Sequence, residues 1–163
     1  MSRTSKMATG LVGLALTASI ATWLSPAQAQ ESVPTPKAMA AFRVCLAAAK
    51  AGVDCGQPVY DSCQAAHDQP DTTLSITECT MTTHKAWDVI LNERYRAVIA
   101  ASPPNFKLKL QKAQRAWIVS RDADCAAVYE AYIGGTIRGL LYAGCMVEKT
   151  SERVRWLKEM GED

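Results

Sequence analysis

Between Ala113 and Cys125 the chain reads AQRAWIVSRDADC, with Trp117, Arg121 and Cys125 at intervals of four residues. On a helix that spacing sets the three side chains along one side. Gln114 lies on the same side, two turns before Arg121. A guanidinium held against an apolar seam is costly unless a carboxylate or several carbonyl oxygens meet it. Arg121 therefore belongs either to a site that acts on a ligand or to a structural strut. The preceding segment offers Asp88, with Asn92 and Tyr95 on the same stripe. These residues predict a polar network between two helices, centred on an Arg121 to Asp88 pair. Removing Asp88 then costs roughly 3 to 5 kcal/mol if the pair is buried. The competing arrangement has Arg121 snorkelling past Trp117 to solvent.

Other residue types capable of chemistry are sparse. The histidines, His67 and His84, stand away from any serine elbow and read as solvated loop or helix-start residues. A nucleophile beside a base is therefore not in view. Neither a glycine-rich phosphate loop, a zinc-protease pair nor a calcium loop occurs, so the sequence points to no cofactor and away from an enzyme. Six cysteines stand at 45, 55, 63, 79, 125 and 145. An even count in an exported domain of this size reads as three disulfides. Zinc ligation, the rival use, normally needs closer cysteine or histidine pairs than the eight-residue minimum spacing found here.

The elements that must position these groups are helical. Met39, Phe42, Cys45, Leu46 and Ala49 recur at three and four residues from Pro36 onward, with Gly52 as a stop. A turn over 52–58 leads to a short helix over 59–66, followed by a polar loop to Thr73. Three longer helices are predicted over 73–102, 106–132 and 137–160. An irregularity is expected near Thr80, Thr82 and Thr83. The first two long helices are separated by Ser102-Pro103-Pro104, because proline neither continues a helix nor favours helical backbone in the residue before it. Gly134-Gly135-Thr136 separates the last two, with Thr136 as the expected cap. Folding back at these glycines would bring Cys125 to Cys145, closing a loop worth roughly 3 kcal/mol on the chain-entropy model. No alternating strand pattern and no repeat is visible, so the expected fold class is all-α: a small, disulfide-stapled helical bundle of three long helices plus short N-terminal helices.

Residues 1–29 read as a secretory signal peptide. Arg3 and Lys6 supply the positive start, 11–24 the apolar stretch and Ala27-Gln28-Ala29 the cleavage site. The apolar run falls short of the roughly 20 residues of a spanning helix. No cysteine follows it for lipid attachment, so no membrane anchor is expected after cleavage. Removing 29 of the 163 residues leaves 134, enough for one core, and it takes two bases and no acid from 18 basic and 16 acidic residues. The resulting balance argues against nucleic acid as a partner. The expected organisation is a leader over 1–29, an extension with a short helix over 30–58 and a helical domain over 59–163, located in the periplasm or secreted.

Several segments taken together carry a resemblance. They are Tyr60-Asp61-Ser62-Cys63, Cys79, Asp88-x-x-Leu91-Asn92-x-x-Tyr95, Gln111-x-x-Gln114-Arg115-Ala116-Trp117-x-x-x-Arg121-Asp122-x-x-Cys125, Gly134-Gly135-Thr136, Cys145 and Thr150-x-x-Arg153-x-x-x-Leu157. In kind, order and separation they resemble the LprI-like family, exported bacterial proteins named after a mycobacterial lysozyme-inhibitor lipoprotein. The resemblance covers about 60–160. It implies an exported helical domain with Cys63 joined to Cys79 and Cys125 to Cys145, which leaves Cys45 for Cys55. It further implies a binding protein that inhibits a lysozyme-type muramidase. The alternatives are an interaction or envelope-stress module that binds another periplasmic protein, and, least favoured, an enzyme acting on cell-wall glycan. Gly134, Gly135 and Thr136 are the candidate partner-binding residues, since a short loop beside a disulfide is rigid enough to enter a cleft. The favoured reading of the same glycines is a tight helix-to-helix turn and no more.

Overall fold

The computed structural model describes residues 32–48 and 54–161; the segment expected to be a signal peptide with its cleavage site, and Ala49 and Gly52, lie outside the described residues. The described chain forms five helices: α1 (Pro36–Ala48), α2 (Gln57–Gln64), α3 (Thr73–Ala101), α4 (Pro104–Ala131) and α5 (Arg138–Glu159). No strand occurs among the described residues, and the fold is all-α.

Local chemistry sets most of the boundaries. α1 opens on Pro36, whose fixed φ suits a first helical position, while the Thr35 hydroxyl accepts from the Ala38 N–H at 3.2 Å. α2 starts at Gln57, earlier than the glycine-proline composition predicts, because Pro58 is accommodated in the first turn where no N–H is needed. Thr72 caps α3 by accepting from the Ser75 N–H. The threonine cluster leaves α3 unbroken. Thr80, Thr82 and Thr83 each donate a hydroxyl to the carbonyl four residues earlier, at 2.8, 2.9 and 3.0 Å, and so satisfy themselves within the helix. α5 departs from expectation at its start: its N-cap is Ile137, without a side-chain cap bond, and not Thr136.

α5 is the helix on which the long pieces assemble, packing against both α3 and α4. It runs parallel to α3, with Gly139 beside Thr77 and Gly161 beside Val98, and antiparallel to α4, with Cys145 bonded to Cys125 and Lys149 meeting Asp124. The core gathers Ala38 and Phe42 of α1, Val59 of α2, Trp87, Ile90, Leu91 and Val98 of α3, Leu110 of α4, and Val154 and Leu157 of α5. Phe42 meets Trp87 edge to face at 4.7 Å between ring centres, an arrangement that favours aromatic quadrupoles. Arg43 binds Glu93 through both guanidinium nitrogens, at 2.5 and 2.7 Å, and fastens α1 along α3. Disulfides join Cys45 to Cys55, Cys63 to Cys79 and Cys125 to Cys145.

Candidate functional site

α4 contributes little to the core. Of its 28 residues only Leu110, Gln114 and Cys125 are buried, which leaves its polar side chains free to form a cleft with α5. Trp117 and Arg121 line that cleft from α4, and Lys149, Arg153 and Trp156 from α5. The space between them is about 290 Å³.

The structure divides the expected polar network into two. In the first part, Asn92 donates its amide to both the carbonyl and the carboxylate of Asp88, at 2.8 and 2.9 Å. Arg121 Nη1 lies 3.9 Å from Asp88 Oδ1, while its Nη2 and Nε hold Asp122 Oδ1 at 2.8 and 2.9 Å. The Arg121 side chain is 11% exposed but that of Asp88 is 44% exposed, so the pair is open to water on the carboxylate side. The strut is therefore not the buried pair anticipated for it. Asp122, one residue away on the same helix, supplies the near charge. Tyr95 departs further from the expectation and packs against the apolar cluster.

In the second part, Gln114 belongs to Arg153 and not to Arg121: its Oε1 accepts from Arg153 Nε at 2.9 Å. Arg153 stands in the family-like segments, but its spacing to other residues assigned it no place in the network. The available signal was its position on one face of a helix, four residues after Lys149 and three before Trp156. Arg153 lies 4.0 Å from the Trp156 ring centre and 5.6 Å from that of Trp117, and Arg121 lies 5.0 Å from Trp117. Two guanidinium groups and two indoles are thus interleaved across the α4–α5 seam. Such contacts contribute about 0.5 to 2 kcal/mol each, more where water is excluded.

His84 sits one turn before Asp88 in mid-α3, half-buried and not the solvated residue its neighbours in sequence imply. Both ring nitrogens are buried without a hydrogen-bond partner among the described residues. Burial holds its pKa below the usual histidine value, the Arg121 charge adds to the depression, and Asp88 and Asp122 oppose it. The ring is accordingly neutral at neutral pH. His67, by contrast, closes the end of α2 onto α3, with Nε2 3.8 Å from Cys63 Sγ and 3.6 Å from Glu78 Oε2. Cys63, His67 and Cys79 cluster tightly, but the two sulfurs are bonded to each other and have no thiolate to offer a metal.

The α4–α5 turn forms a second exposed feature. Tyr132, Ile133 and Ile137 are 51%, 72% and 47% exposed, an unusual concentration of apolar surface at one helix junction. Gly134 takes φ of +82°, the left-handed region, and is the one residue with positive φ among those described. Backbone bonds from Ile133 N to Glu130 O and from Gly135 N to Tyr132 O hold the turn at 3.1 and 3.0 Å. Gly134, Gly135 and Thr136 border a surface hollow of about 560 Å³ together with Tyr129 and Arg138, whose guanidinium lies 4.3 Å from the Tyr129 ring centre.

The fold defines a disulfide-fastened helical protein with all six cysteines bonded. The family model described as lysozyme inhibitor LprI matches residues 63–157, more than half of the chain, and the chain belongs to that family. It is 37% identical over 120 residues to the uncharacterized protein R02472 of Rhizobium meliloti (strain 1021), covering 65% of this chain and 82% of that one. No solved structure matches. Among the described residues no helix is long and apolar enough to cross a membrane.

Proposed function

We propose that this chain is an exported, soluble binding protein that inhibits a lysozyme-type muramidase, and that residues 132–137 enter the enzyme's cleft. The observation that carries the activity is the family match over 63–157, whose description is that of a lysozyme inhibitor. The choice of surface rests on the turn. Its exposed Tyr132 and Ile133 offer apolar area, and the Cys125–Cys145 bond at the base of the helix pair limits the ordering cost of binding. Arg138 adds a cation beside it, suited to a cleft whose catalytic groups are carboxylates.

A peptidoglycan lysis assay tests the reading. Added protein slows lysis by lysozyme, the protein alone causes none, and Ile133→Asp raises the concentration needed for half-inhibition at least tenfold. Lysis by the protein alone would replace inhibitor by enzyme. No effect on lysozyme would leave an interaction module, and full potency of Ile133→Asp would move the inhibitory surface elsewhere.

A further inference from the structure

The α4–α5 cleft holds a guanidinium with no carboxylate in contact among the described residues. Arg121 has Asp122 and Lys149 has Asp124, at 2.8 and 2.7 Å, but among the described residues Arg153 meets only the Gln114 amide oxygen and the two indoles. Its Nη2 is buried with no hydrogen-bond partner among the described residues. Burial, with no anion to offset it, holds its pKa below the usual arginine value. A half-buried guanidinium left in this state is unfavourable, and a bound acceptor would relieve it.

We propose that this cleft is a binding site for a small carboxylate-bearing ligand, with Arg153 as the carboxylate's partner and the Trp156 and Trp117 rings as the apolar wall beside it. Three features select that chemistry. Arg121 is already held by Asp122 and Lys149 by Asp124, so among the described residues Arg153 is the cleft cation with no anion in contact, and a single carboxylate supplies one. The planar fork of arginine matches a carboxylate through two hydrogen bonds. The volume of about 290 Å³ lies at the small end for ligand sites and admits a group the size of one sugar ring or a dipeptide, with the indoles offering flat apolar faces to it. Carboxylates of this size are carried by acidic sugars and by peptide C-termini. The site is separate from the 132–137 turn and stands independently of muramidase inhibition.

The test is an NMR titration of the ¹⁵N-labelled protein, purified after export with its disulfides intact. The probes are N-acetylmuramic acid, N-acetyl-alanyl-alanine and, as the uncharged control, N-acetylglucosamine. The expected result is a saturable shift of the Trp117 and Trp156 indole signals with at least one acid at millimolar concentration, while the signal of core Trp87 stays still and the control is silent. A response to the sugar acid alone assigns the carboxylate to a sugar, to the peptide alone to a chain terminus, and to both assigns recognition to the carboxylate itself. Arg153→Gln weakens binding at least tenfold and Arg153→Lys less, because lysine keeps the charge without the fork. Trp156→Leu leaves the guanidinium in place and weakens binding several-fold, which keeps the proposal testable if Arg153→Gln does not fold. Silence with both acids, an equal response to N-acetylglucosamine, or undiminished binding by folded Arg153→Gln overturns the assignment.

Discussion

Replacing Asp88 by alanine separates a buried strut from a solvent-facing one. At 3.9 Å the Coulomb energy of a full charge pair is about 1 kcal/mol in water and about 4 kcal/mol at an effective dielectric constant of 20. The 44% exposure of Asp88 puts the pair near the first limit, and Asp122 remains 2.8 Å from Arg121 when Asp88 is gone. Asp88→Ala should therefore cost under about 1 kcal/mol, against the roughly 3 to 5 kcal/mol of a broken buried pair. For a domain of this size that is a fall in Tm of no more than about 4 °C. Arg121→Ala should cost more, about 1 to 2 kcal/mol, because it removes the stacking on Trp117 and the buried methylenes as well as both ion pairs. The assay is a double-mutant cycle by thermal and urea unfolding with disulfides intact, in which the Asp88–Arg121 coupling stays under about 1 kcal/mol. A loss above about 3 kcal/mol in Asp88→Ala, or a coupling of that size, would refute the reasoning.

Three further outcomes are expected. Because His84 is held below its ordinary pKa in the folded state, the unfolded chain binds the extra proton first, so stability falls as pH drops through about 6.5 towards the folded value and is unaffected by this residue above that window. His84→Gln should flatten that part of the stability profile, and identical slopes for variant and parent between about pH 7 and 5 would contradict the burial argument. Converting Cys125 and Cys145 together to serine should cost about 3 kcal/mol for the 20-residue separation, read by urea unfolding, with a loss under about 1 kcal/mol counting against the entropic account. Gly134→Ala should destabilise by about 1 kcal/mol through its left-handed backbone, since a Cβ there meets nothing within 4 Å; an unchanged Tm would show that the turn readily relaxes.

The local and the non-local parts of this molecule were legible to different degrees. Proline pairs, glycine pairs and the spacing of apolar residues act within a few residues of themselves, so the long helices end within a residue or two of where the sequence places them. The exceptions have local causes of the same kind, such as Pro58 tolerated in the first turn of α2 and threonine hydroxyls returning to their own helix. Partner choice across helices was another matter. Trp117, Arg121 and Cys125 share a helix side as their spacing requires, but spacing cannot say which helix faces them or how near its carboxylates come.

By itself the sequence determined an all-helical chain with five helical segments, paired cysteines and a family signature, because those properties are written in turn chemistry, periodicity and residue kind. Only the tertiary structure decided that α5 lies against both α3 and α4, that Gln114 serves Arg153, that Asp122 relieves Asp88, and that the ring nitrogens of His84 are buried. The physical reason is range. Backbone hydrogen bonds and caps reach four residues along the chain, whereas the Gln114–Arg153 pairing and the Arg121 charge beside His84 join groups more than 30 residues apart that only packing brings together.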